Sequence, residues 1–322
     1  MTQHAFWRSS LDPERVMSAQ VMHWQDAEQE EREEYLTVEE PLEIRLLQYP
    51  QTDRGKGEKL LASAHEDTSP REMARRSSDF ERDGQSLAMI MRTPGHDREL
   101  VCGFLLSEGV IQHPEDIVEV RAASDADGLP LANVVEVMLR EALMVEIVAS
   151  AFQRHFTVSA SCGLCGKDSI ADILCTATPI NEDHLRLAAT SLYDLPERLR
   201  LAQAVFTHTG GLHAAGLFDA QGKLRLLRED VGRHNAVDKL IGHGLLQSTL
   251  PYSNYLLLVS GRTSFEIIQK ALRARIPCIA AISAPSSLAV ELAEQSGITL
   301  IGFLRERTMN VYSHPERILA SI

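Results

Sequence analysis

The chain has 322 residues, of which 44% are hydrophobic and 24% are charged, a composition typical of soluble globular proteins. This length allows two domains, or one large domain with additions. The sequence has no apolar run of 18 residues, which excludes a membrane-spanning helix, and its N-terminus lacks the pattern of an export signal. Five cysteines, mostly isolated, argue against a disulfide framework and favour a reducing compartment. We therefore expect a cytoplasmic protein.

The net charge of −13 is unevenly distributed along the chain. Residues 1–155 contain 16 Lys and Arg against 30 Asp and Glu, a balance of −14. Residues 156–322 contain 16 against 15, a balance of +1. Such a chain is poorly suited to general nucleic-acid binding, and an anionic ligand fits its second half better.

The first half predicts a small α+β domain over residues 41–155. It follows an extension, residues 1–40, in which eight acids and one base lie between Asp26 and Glu40, a composition typical of disorder or of an exposed helix. Alternating apolar and polar residues predict strands, and a helix is predicted that Gly109 ends. The strands are predicted at 41–47, 86–91, 117–122 and 133–140, the helix at 96–107, and a mobile insertion at 48–84.

The second half, residues 156–322, predicts apolar strands that alternate with helices. This alternation indicates a sheet covered on both faces, a three-layer α/β domain. The predicted helices are 181–192, 196–206, one opening within 228–239, 263–274 and 286–295, and the predicted strands are 212–218, 223–228, 255–260, 277–283 and 298–304.

A C-x-x-C pair, Cys162 and Cys165, lies in the loop around which these elements are arranged. Gly163 and Gly166 allow a sharp turn that exposes a sulfur. Lys167 and the start of a predicted helix would stabilise a thiolate and lower its pKa from about 8.5. Such a sulfur could attack a disulfide, bind a metal or carry a transferred sulfur atom.

Three interpretations compete for this loop. A structural zinc site needs two more ligands, and only His208 and His213 offer them, at an unusual spacing. A thioredoxin-like redox pair would follow a strand near the start of the chain, whereas this pair lies in its middle. A nucleophilic, sulfur-carrying loop fits best.

Three predicted strand ends could hold an anionic ligand, because ligands of such sheets bind where strands end and helices begin. At the first, Gly261 permits close approach, Arg262 offers a guanidinium, and Thr263 forms a predicted capping box with Glu266. An ordinary capped helix is the alternative there. The second, residues 284–287, has no base and is interpreted as a cap.

The third strand end is a tail in which two arginines could hold phosphate while an aromatic ring packs on a base. A surface turn is the alternative. The tail comprises Phe303, Leu304, Arg305, Glu306, Arg307 and Thr308. Five more ionisable residues lie at element ends and raise the chance of a shared site: His208, His213, Asp230, Arg233 and His234.

The ordered motifs of this chain resemble the FdhD family, the formate dehydrogenase accessory sulfurtransferases. The resemblance extends from about residue 40 to the C-terminus. Its motifs are Glu-Pro-Leu-Glu-Ile (40–44), Arg-Thr-Pro-Gly through Ser-Glu-Gly (92–109), Ser-Cys-Gly-Leu-Cys-Gly-Lys (161–167), Thr-Gly-Gly-Leu-His (209–213), Glu-Asp-Val-Gly-Arg-His-Asn-Ala-Val-Asp-Lys (229–239), Ser-Gly-Arg (260–262) and Asn-Val-Tyr (310–312).

The resemblance implies an activity. Such proteins take sulfur from a cysteine desulfurase as a protein persulfide and pass it to bis-molybdopterin guanine dinucleotide, the molybdenum cofactor that formate dehydrogenase uses. Cys162 would carry the persulfide, Cys165 would relay the sulfur or help release it, and the tail, residues 303–308, would bind the cofactor. Two features depart from the family pattern: the acidic extension with the insertion, and Glu306 between the tail arginines.

The resemblance also implies a homodimer and a cytidine-deaminase-like second domain. A zinc deaminase needs a Pro-Cys-x-x-Cys motif, and Pro277-Cys278 lacks its second cysteine. No metal is therefore expected in that fold. The alternative function is a non-catalytic cofactor carrier whose C-x-x-C pair binds a structural metal.

Overall fold

The computed structural model describes residues 12–47, 84–125, 127–141, 143, 177–181 and 183–320. The strands are β1 (Val16–Gln25), β2 (Glu28–Thr37), β3 (Glu40–Leu46), β4 (Gln85–Arg92), β5 (Ile117–Ser124), β6 (Pro130–Leu139), β7 (Leu187–Ala188), β8 (His213–Asp219), β9 (Leu224–Asp230), β10 (Tyr255–Val259), β11 (Cys278–Ala281), β12 (Thr299–Arg305), β13 (Thr308–Ser313) and β14 (Ile318–Leu319). The helices are α1 (Asp97–Ser107), α2 (Ala189–Leu192), α3 (Leu195–Ala202), α4 (Ala204–Thr209), α5 (Arg233–Leu246), α6 (Phe265–Arg273) and α7 (Ser287–Ser296).

The predicted disorder of residues 1–40 is wrong for the part that the structure describes. β1 and β2 form an antiparallel hairpin, in which Gln25 pairs with Glu28. Asp26 and Ala27 turn the chain with φ values of 49° and 69°, as a two-residue hairpin turn requires. Five of the eight acids of this block lie in β2, and every residue of β1 is uncharged or His. Cross-strand pairing therefore opposes acids to neutral side chains, which avoids the repulsion that the composition suggested.

The predicted strands and helix of the first half are confirmed. They form a four-stranded sheet in the order β4-β3-β6-β5, and α1 ends before Gly109, which has a φ of 72°. Along β3, Leu42, Ile44 and Leu46 are buried, the two-residue period of a strand with one face on the core.

The second half contains a six-stranded sheet in the order β13-β12-β11-β10-β8-β9. β10, β11 and β12 are parallel neighbours. β8 is antiparallel to β10 and β9 is antiparallel to β8, while β13 is antiparallel to β12. The sheet is therefore mixed, with a parallel centre and an antiparallel strand at each edge.

Both faces of this sheet are covered. One face, with Leu257 and Ile279, packs in a core cluster that includes α5, α6, α7 and the first half of the chain. The other face, with Leu258 and Ala280, packs in a second cluster under α2 and α3. The mixed α/β class is confirmed, whereas the likeness to cytidine deaminase and the predicted domain boundaries stay predictions.

Two glycines bring the halves of the chain together. A Cβ at Gly103 of α1 would overlap the carbonyl oxygen of Asp238 in α5, and a Cβ at Gly242 of α5 would overlap that of Glu99 in α1. The two helices therefore cross with their backbones in contact, which only residues without a side chain permit.

Two helix predictions in the second half differ from the structure. In place of a helix over 181–192, β7 pairs with β14 and only the short α2 follows. Leu185 and Leu187 are both buried, and this two-residue spacing is that of a strand. The helix predicted over 196–206 is divided at Gln203, whose ψ of 89° ends α3 before α4 begins.

No helix among the residues that the structure describes is long and apolar enough to cross a membrane.

Candidate functional site

The ends of β8 to β12 meet at one edge of the six-stranded sheet, which we call the ligand edge, and β13 begins there too. The parallel strands β10, β11 and β12 all end there. Because β8 is antiparallel to β10, it begins at this edge, and its partner β9 ends there: His213 pairs with Asp230. The starts of α5, α6 and α7 follow these ends, so three helix N-termini lie along an edge of the kind that binds ligands in α/β sheets.

His213, Arg233 and Gly261 are in close proximity at the ligand edge. A Cβ at position 261 would lie 3.2 Å from Nδ1 of His213 and 3.5 Å from Cδ of Arg233. Gly261 thus leaves space for both side chains. Burial and the Arg233 guanidinium lower the pKa of His213 below its ordinary 6.5, so this imidazole is neutral at pH 7.

His234 and Glu266 join the starts of α5 and α6. His234 Nε2 lies 3.1 Å from Ser264 Oγ and 3.8 Å from a Glu266 carboxylate oxygen. Burial, with Arg233 as the next cause, lowers the pKa of His234 to about 4. Burial by itself would raise the pKa of Glu266, but hydrogen bonds from Ser264 and from its own backbone lower it overall. At neutral pH the cluster therefore contains neutral imidazoles, one carboxylate and the Arg233 cation.

A buried ion pair between Asp230 and Lys239 holds the start of α5, which carries Arg233 and His234. Lys239 Nζ lies 2.7 Å from Asp230 Oδ2, and both side chains are fully buried. Lys239 also donates to the Thr93 carbonyl oxygen at 2.8 Å, and Asn235 Nδ2 donates to Asp230 Oδ1 at 2.9 Å. The pair fixes the turn from β9 into α5 against the loop that follows β4.

Hydrogen bonds connect the loops at the three strand ends that the sequence analysis singled out. Thr263 N donates to the Ala284 carbonyl oxygen at 3.2 Å, and Phe303 N donates to the Ser283 carbonyl oxygen at 3.1 Å. Thr263 also forms a parallel bridge with Pro285. The first loop, the second loop and the start of the tail therefore form one continuous surface.

Two buried polar atoms at this edge have no hydrogen-bond partner among the described residues. They are Oγ1 of Thr263, whose residue is 1% exposed, and Nε of Arg233. A buried hydroxyl without a partner costs about 1–3 kcal/mol. An anionic oxygen bound at this edge could accept hydrogen bonds from both.

The predicted capping box of α6 is wrong. α6 begins at Phe265 with Ser264 as its N-cap, so Thr263 lies one residue too early to cap it. The cap predicted at residues 284–287 is confirmed at the start of α7, since Ser286 Oγ accepts a hydrogen bond from Ala289 N at 3.2 Å.

The tail is divided between an edge part and a hairpin turn. Glu306 and Arg307, with φ values of 51° and 57°, form the turn between β12 and β13. Arg305 lies over the Phe303 ring, with 5.6 Å between its guanidinium carbon and the ring centroid. Leu304 is fully buried in the second core cluster, so its side chain faces away from any ligand.

The tail residues beyond Arg305 point toward the start of α3. Arg307 lies over the Tyr193 ring at 5.3 Å, with Asp194 Oδ1 3.9 Å from its Nη1. Its side chain is 71% exposed. Thr308 Oγ1 donates to the Arg305 carbonyl oxygen at 2.9 Å, which closes the turn.

The structure brings together only part of the site that the sequence predicts. Gly261 and Thr263 join His213, Arg233 and His234, whereas Arg262 is exposed and His208 lies on α4. Ser264 and Lys239 were missed as site residues. Ser264 joins the site through its contact with His234, and Lys239 through its ion pair with Asp230; sequence spacing reveals neither contact.

The C-x-x-C pair, Cys162 and Cys165, lies outside the described residues. Within them, Cys102 and Cys278 are buried, and burial raises the pKa of each thiol to about 12. Cys102 lies on α1 and belongs to the core. The described residues also contain no group of three or more His, Cys, Asp and Glu side chains placed to hold a metal ion.

Comparison with known proteins places this chain among curated relatives of similar length. A protein of Nocardia farcinica named sulfur carrier protein FdhD is 50% identical over 238 residues, which cover 73% of this chain and 83% of the relative. A protein of the same name from Sulfurisphaera tokodaii is 48% identical over 237 residues, covering 74% and 86%.

A solved structure and a family model also match this chain. A crystal structure from Desulfotalea psychrophila, assigned as a formate dehydrogenase accessory protein, shares the fold with a TM-score of 0.64, covering 95% of this chain and all of the other at 23% identity. The model of the FdhD/NarQ family matches residues 76–319. The chain therefore belongs to the FdhD/NarQ family.

Proposed function

We propose that this chain is a sulfur carrier in formate dehydrogenase maturation, which takes sulfur from a cysteine desulfurase and passes it to bis-molybdopterin guanine dinucleotide. The observation that carries the proposal is the 50% identity over 238 residues with a relative named sulfur carrier protein FdhD. We further propose that it works in the cytoplasm as a homodimer with a cytidine-deaminase-like second domain.

Cys162 is the proposed sulfur acceptor. Its thiolate attacks the outer sulfur of the donor persulfide, the donor S–S bond breaks, and the donor cysteine leaves as a thiolate. Cys165 can then attack the inner sulfur of the Cys162 persulfide, forming a Cys162–Cys165 disulfide and releasing hydrosulfide to the bound cofactor. A cellular thiol reduces that disulfide for the next cycle. Cys102 and Cys278 are unsuited to this chemistry because their raised pKa keeps them protonated.

The ligand edge is the proposed site for the phosphates of the cofactor. Gly261 allows close approach, while Arg262, Thr263 and Arg233 supply charge and hydrogen-bond donors beside the starts of α5 and α6. In the tail, Phe303 and Arg305 offer a stacking surface for a guanine base. The rest of the tail, Leu304, Glu306, Arg307 and Thr308, would contribute through its backbone or at the turn.

Mass spectrometry of the purified protein tests the sulfur-carrier role. After incubation with a cysteine desulfurase and cysteine, we expect a peptide containing Cys162 to gain roughly 32 Da, the mass of one sulfur in a persulfide. Cys162→Ala should abolish this gain and formate dehydrogenase maturation in a complementing strain. Cys102→Ala, a substitution at a buried thiol, should retain both.

Two results would overturn the proposal. One is full maturation activity of Cys162→Ala. The other is stoichiometric zinc in the purified protein with no sulfur adduct on Cys162, which would support the carrier with a structural metal instead.

A further inference from the structure

The β1–β2 hairpin is rooted beside the ligand edge and projects from it. At its root, Val16 and Tyr35 pack in a small apolar cluster with Val205 and Leu212. Each strand has ten residues, which corresponds to roughly 33 Å. The distal part, residues 20–34, we call the acidic arm; most of its side chains are exposed.

The acidic arm combines charge of one sign with exposed apolar side chains. It contains six acids and one base, Arg32, a balance of −5. Trp24 is 62% exposed and Met22 is 48% exposed. They share one face of the hairpin, because their cross-strand partners are Gln29 and Glu31 and they lie two residues apart. The acids are Asp26, Glu28, Glu30, Glu31, Glu33 and Glu34.

Protection of a strand edge does not account for this composition. Charged residues on edge strands do prevent aggregation, but exposed Trp24 and Met22 on the same hairpin work against that purpose. Trp and Met are instead enriched in protein interfaces, and Trp in particular anchors them. An isolated two-stranded hairpin is also only marginally stable in water, so a partner that covers the arm would stabilise it.

The charge of the arm selects the class of partner. Nucleic acid and anionic membranes are repelled by acidic surfaces, and so is an anionic cofactor. A protein with a basic patch is attracted, and the attraction speeds its encounter.

The position of the arm specifies this partner further. Its root cluster includes Leu212 and Val231, which neighbour His213 and Gly232 in the chain and lie at the ligand edge. A protein held by the arm is therefore placed beside the site proposed for the cofactor. The hairpin also lies outside residues 76–319, the part that the family model matches.

We propose that the acidic arm docks a basic surface of the dehydrogenase that receives the sulfurated cofactor, with Trp24 as its apolar anchor. This inference rests on the proposed function for the identity of the partner. The docking itself depends only on the charge, exposure and position of the arm.

Binding to purified, cofactor-free formate dehydrogenase of the same organism tests the proposal by biolayer interferometry. Charge neutralisation, Glu28→Gln with Glu30→Gln, Glu31→Gln and Glu33→Gln, should weaken binding at least tenfold at low salt, since exposed charges act mainly through screened attraction. Trp24→Ala should weaken it about tenfold. In wild type, binding should fall steeply between 20 and 300 mM salt, and in the neutralised variant it should change little.

A matched variant removes the same number of charges elsewhere on the surface. Its exposed positions are Glu115, Asp127, Glu197 and Glu294, each replaced by the corresponding amide. It should bind like wild type, and the circular dichroism of all variants should match because the root of the hairpin is unchanged.

Several results would overturn the docking proposal. One is an affinity of the arm variants for the dehydrogenase equal to that of wild type, and another is an equal loss of affinity in the matched variant. A third is that the wild-type chain does not bind the dehydrogenase. The last is a change of oligomeric state in the arm variants, which would show that the arm binds a second copy of this chain. Sulfur loading of Cys162, measured in the same variants, should equal wild type. If Cys162 is loaded with sulfur but the arm variants bind the dehydrogenase like wild type, the docking role of the arm is refuted and the proposed function stands. If binding depends on the arm but Cys162 is never loaded with sulfur, the proposed function is refuted and the docking role stands.

Discussion

At the scale of single residues, the ligand edge keeps polar atoms in unfavourable surroundings. Thr263 Oγ1 and Arg233 Nε are buried without a hydrogen-bond partner in the described part of the chain, and His234 is half-buried between charged neighbours. Stability alone does not favour such arrangements, since replacing an unpaired buried group by an apolar one removes its desolvation cost. The anion binding that we propose would account for the two unpaired donors, because an anionic oxygen would provide the missing acceptors.

Thr263→Val separates these two effects. Removal of the unpaired hydroxyl should raise the free energy of unfolding in urea by about 1 kcal/mol. The same substitution should weaken binding of guanosine diphosphate, measured by calorimetry, about tenfold, because the ligand loses a hydrogen bond. Thr178→Val, at an exposed threonine beside Arg275 after the end of α6, is the control and should change both stability and binding little. Thr263→Val with lower stability and unchanged binding would show that the hydroxyl is paired within the protein.

His234 gives the protein a pH dependence of known sign. Its pKa is lowered from 6.5 to about 4 in the folded state, so between these values the unfolded chain binds a proton that the folded chain does not. The contribution of neutral His234 to the free energy of unfolding is therefore fully present above pH 6.5. As the pH falls toward 4, this contribution is lost and the free energy of unfolding decreases by about 3 kcal/mol. In His234→Gln, the free energy of unfolding should fall less over this range by about that amount.

The control for this titration is His184→Gln, at an exposed histidine. Its unfolding free energy should follow the wild-type pH profile. Parallel profiles for wild type and His234→Gln would contradict the lowered pKa of His234 in the folded state.

At the scale of elements, the sequence predicts those whose local pattern agrees with their surroundings. The strands around Leu42 and Leu258 and the helix that Gly109 ends follow directly from period and turn chemistry. The acidic hairpin does not follow from the local pattern of its residues. Its repulsion is relieved by a neutral partner strand, β1, and the pairing of two segments is not visible in the composition of either.

The sequence predicted the members of the candidate site as two separate groups, the loop residues Gly261 and Thr263 and the ionisable residues His213, Arg233 and His234. Gly261 and Thr263 were identified because they follow a strand, yet their neighbours His213 and Arg233 come from a different part of the sequence. What unites them is the sheet order β10-β8-β9 with its antiparallel direction. Strand order depends on long-range pairing, which residue spacing does not encode.

At the scale of the whole molecule, the two halves form one core. Apolar residues of both halves belong to the same cluster, and α1 crosses α5 at Gly103 and Gly242. The ion pair of Asp230 and Lys239 adds hydrogen bonds between the halves. We therefore infer that the halves fold together, whichever residue separates them in the chain.

Gly242→Ala tests this coupling. The added methyl would overlap the Glu99 carbonyl oxygen and force the two helices apart, which should lower the free energy of unfolding by about 3 kcal/mol. Calorimetry should show a single unfolding transition in both proteins, at a lower temperature in the variant, because both halves lose the same contact.

Leu246→Ala is the matched control on the same helix. Leu246 is 36% exposed, so its truncation should cost far less. A variant of Gly242 that unfolds in two separate transitions would show that the halves are independent domains.

The antiparallel entry of β8 has a practical consequence for experiments on this protein. Since the turn between β8 and β9 lies at the opposite end of these strands, Gln221 is separated from His213 by the seven-residue length of β8, roughly 23 Å. Its side chain is exposed. A fluorophore or immobilisation handle coupled there is separated from His213 by the length of β8, so surface-based and single-molecule assays of the proposed site can attach the chain at this turn.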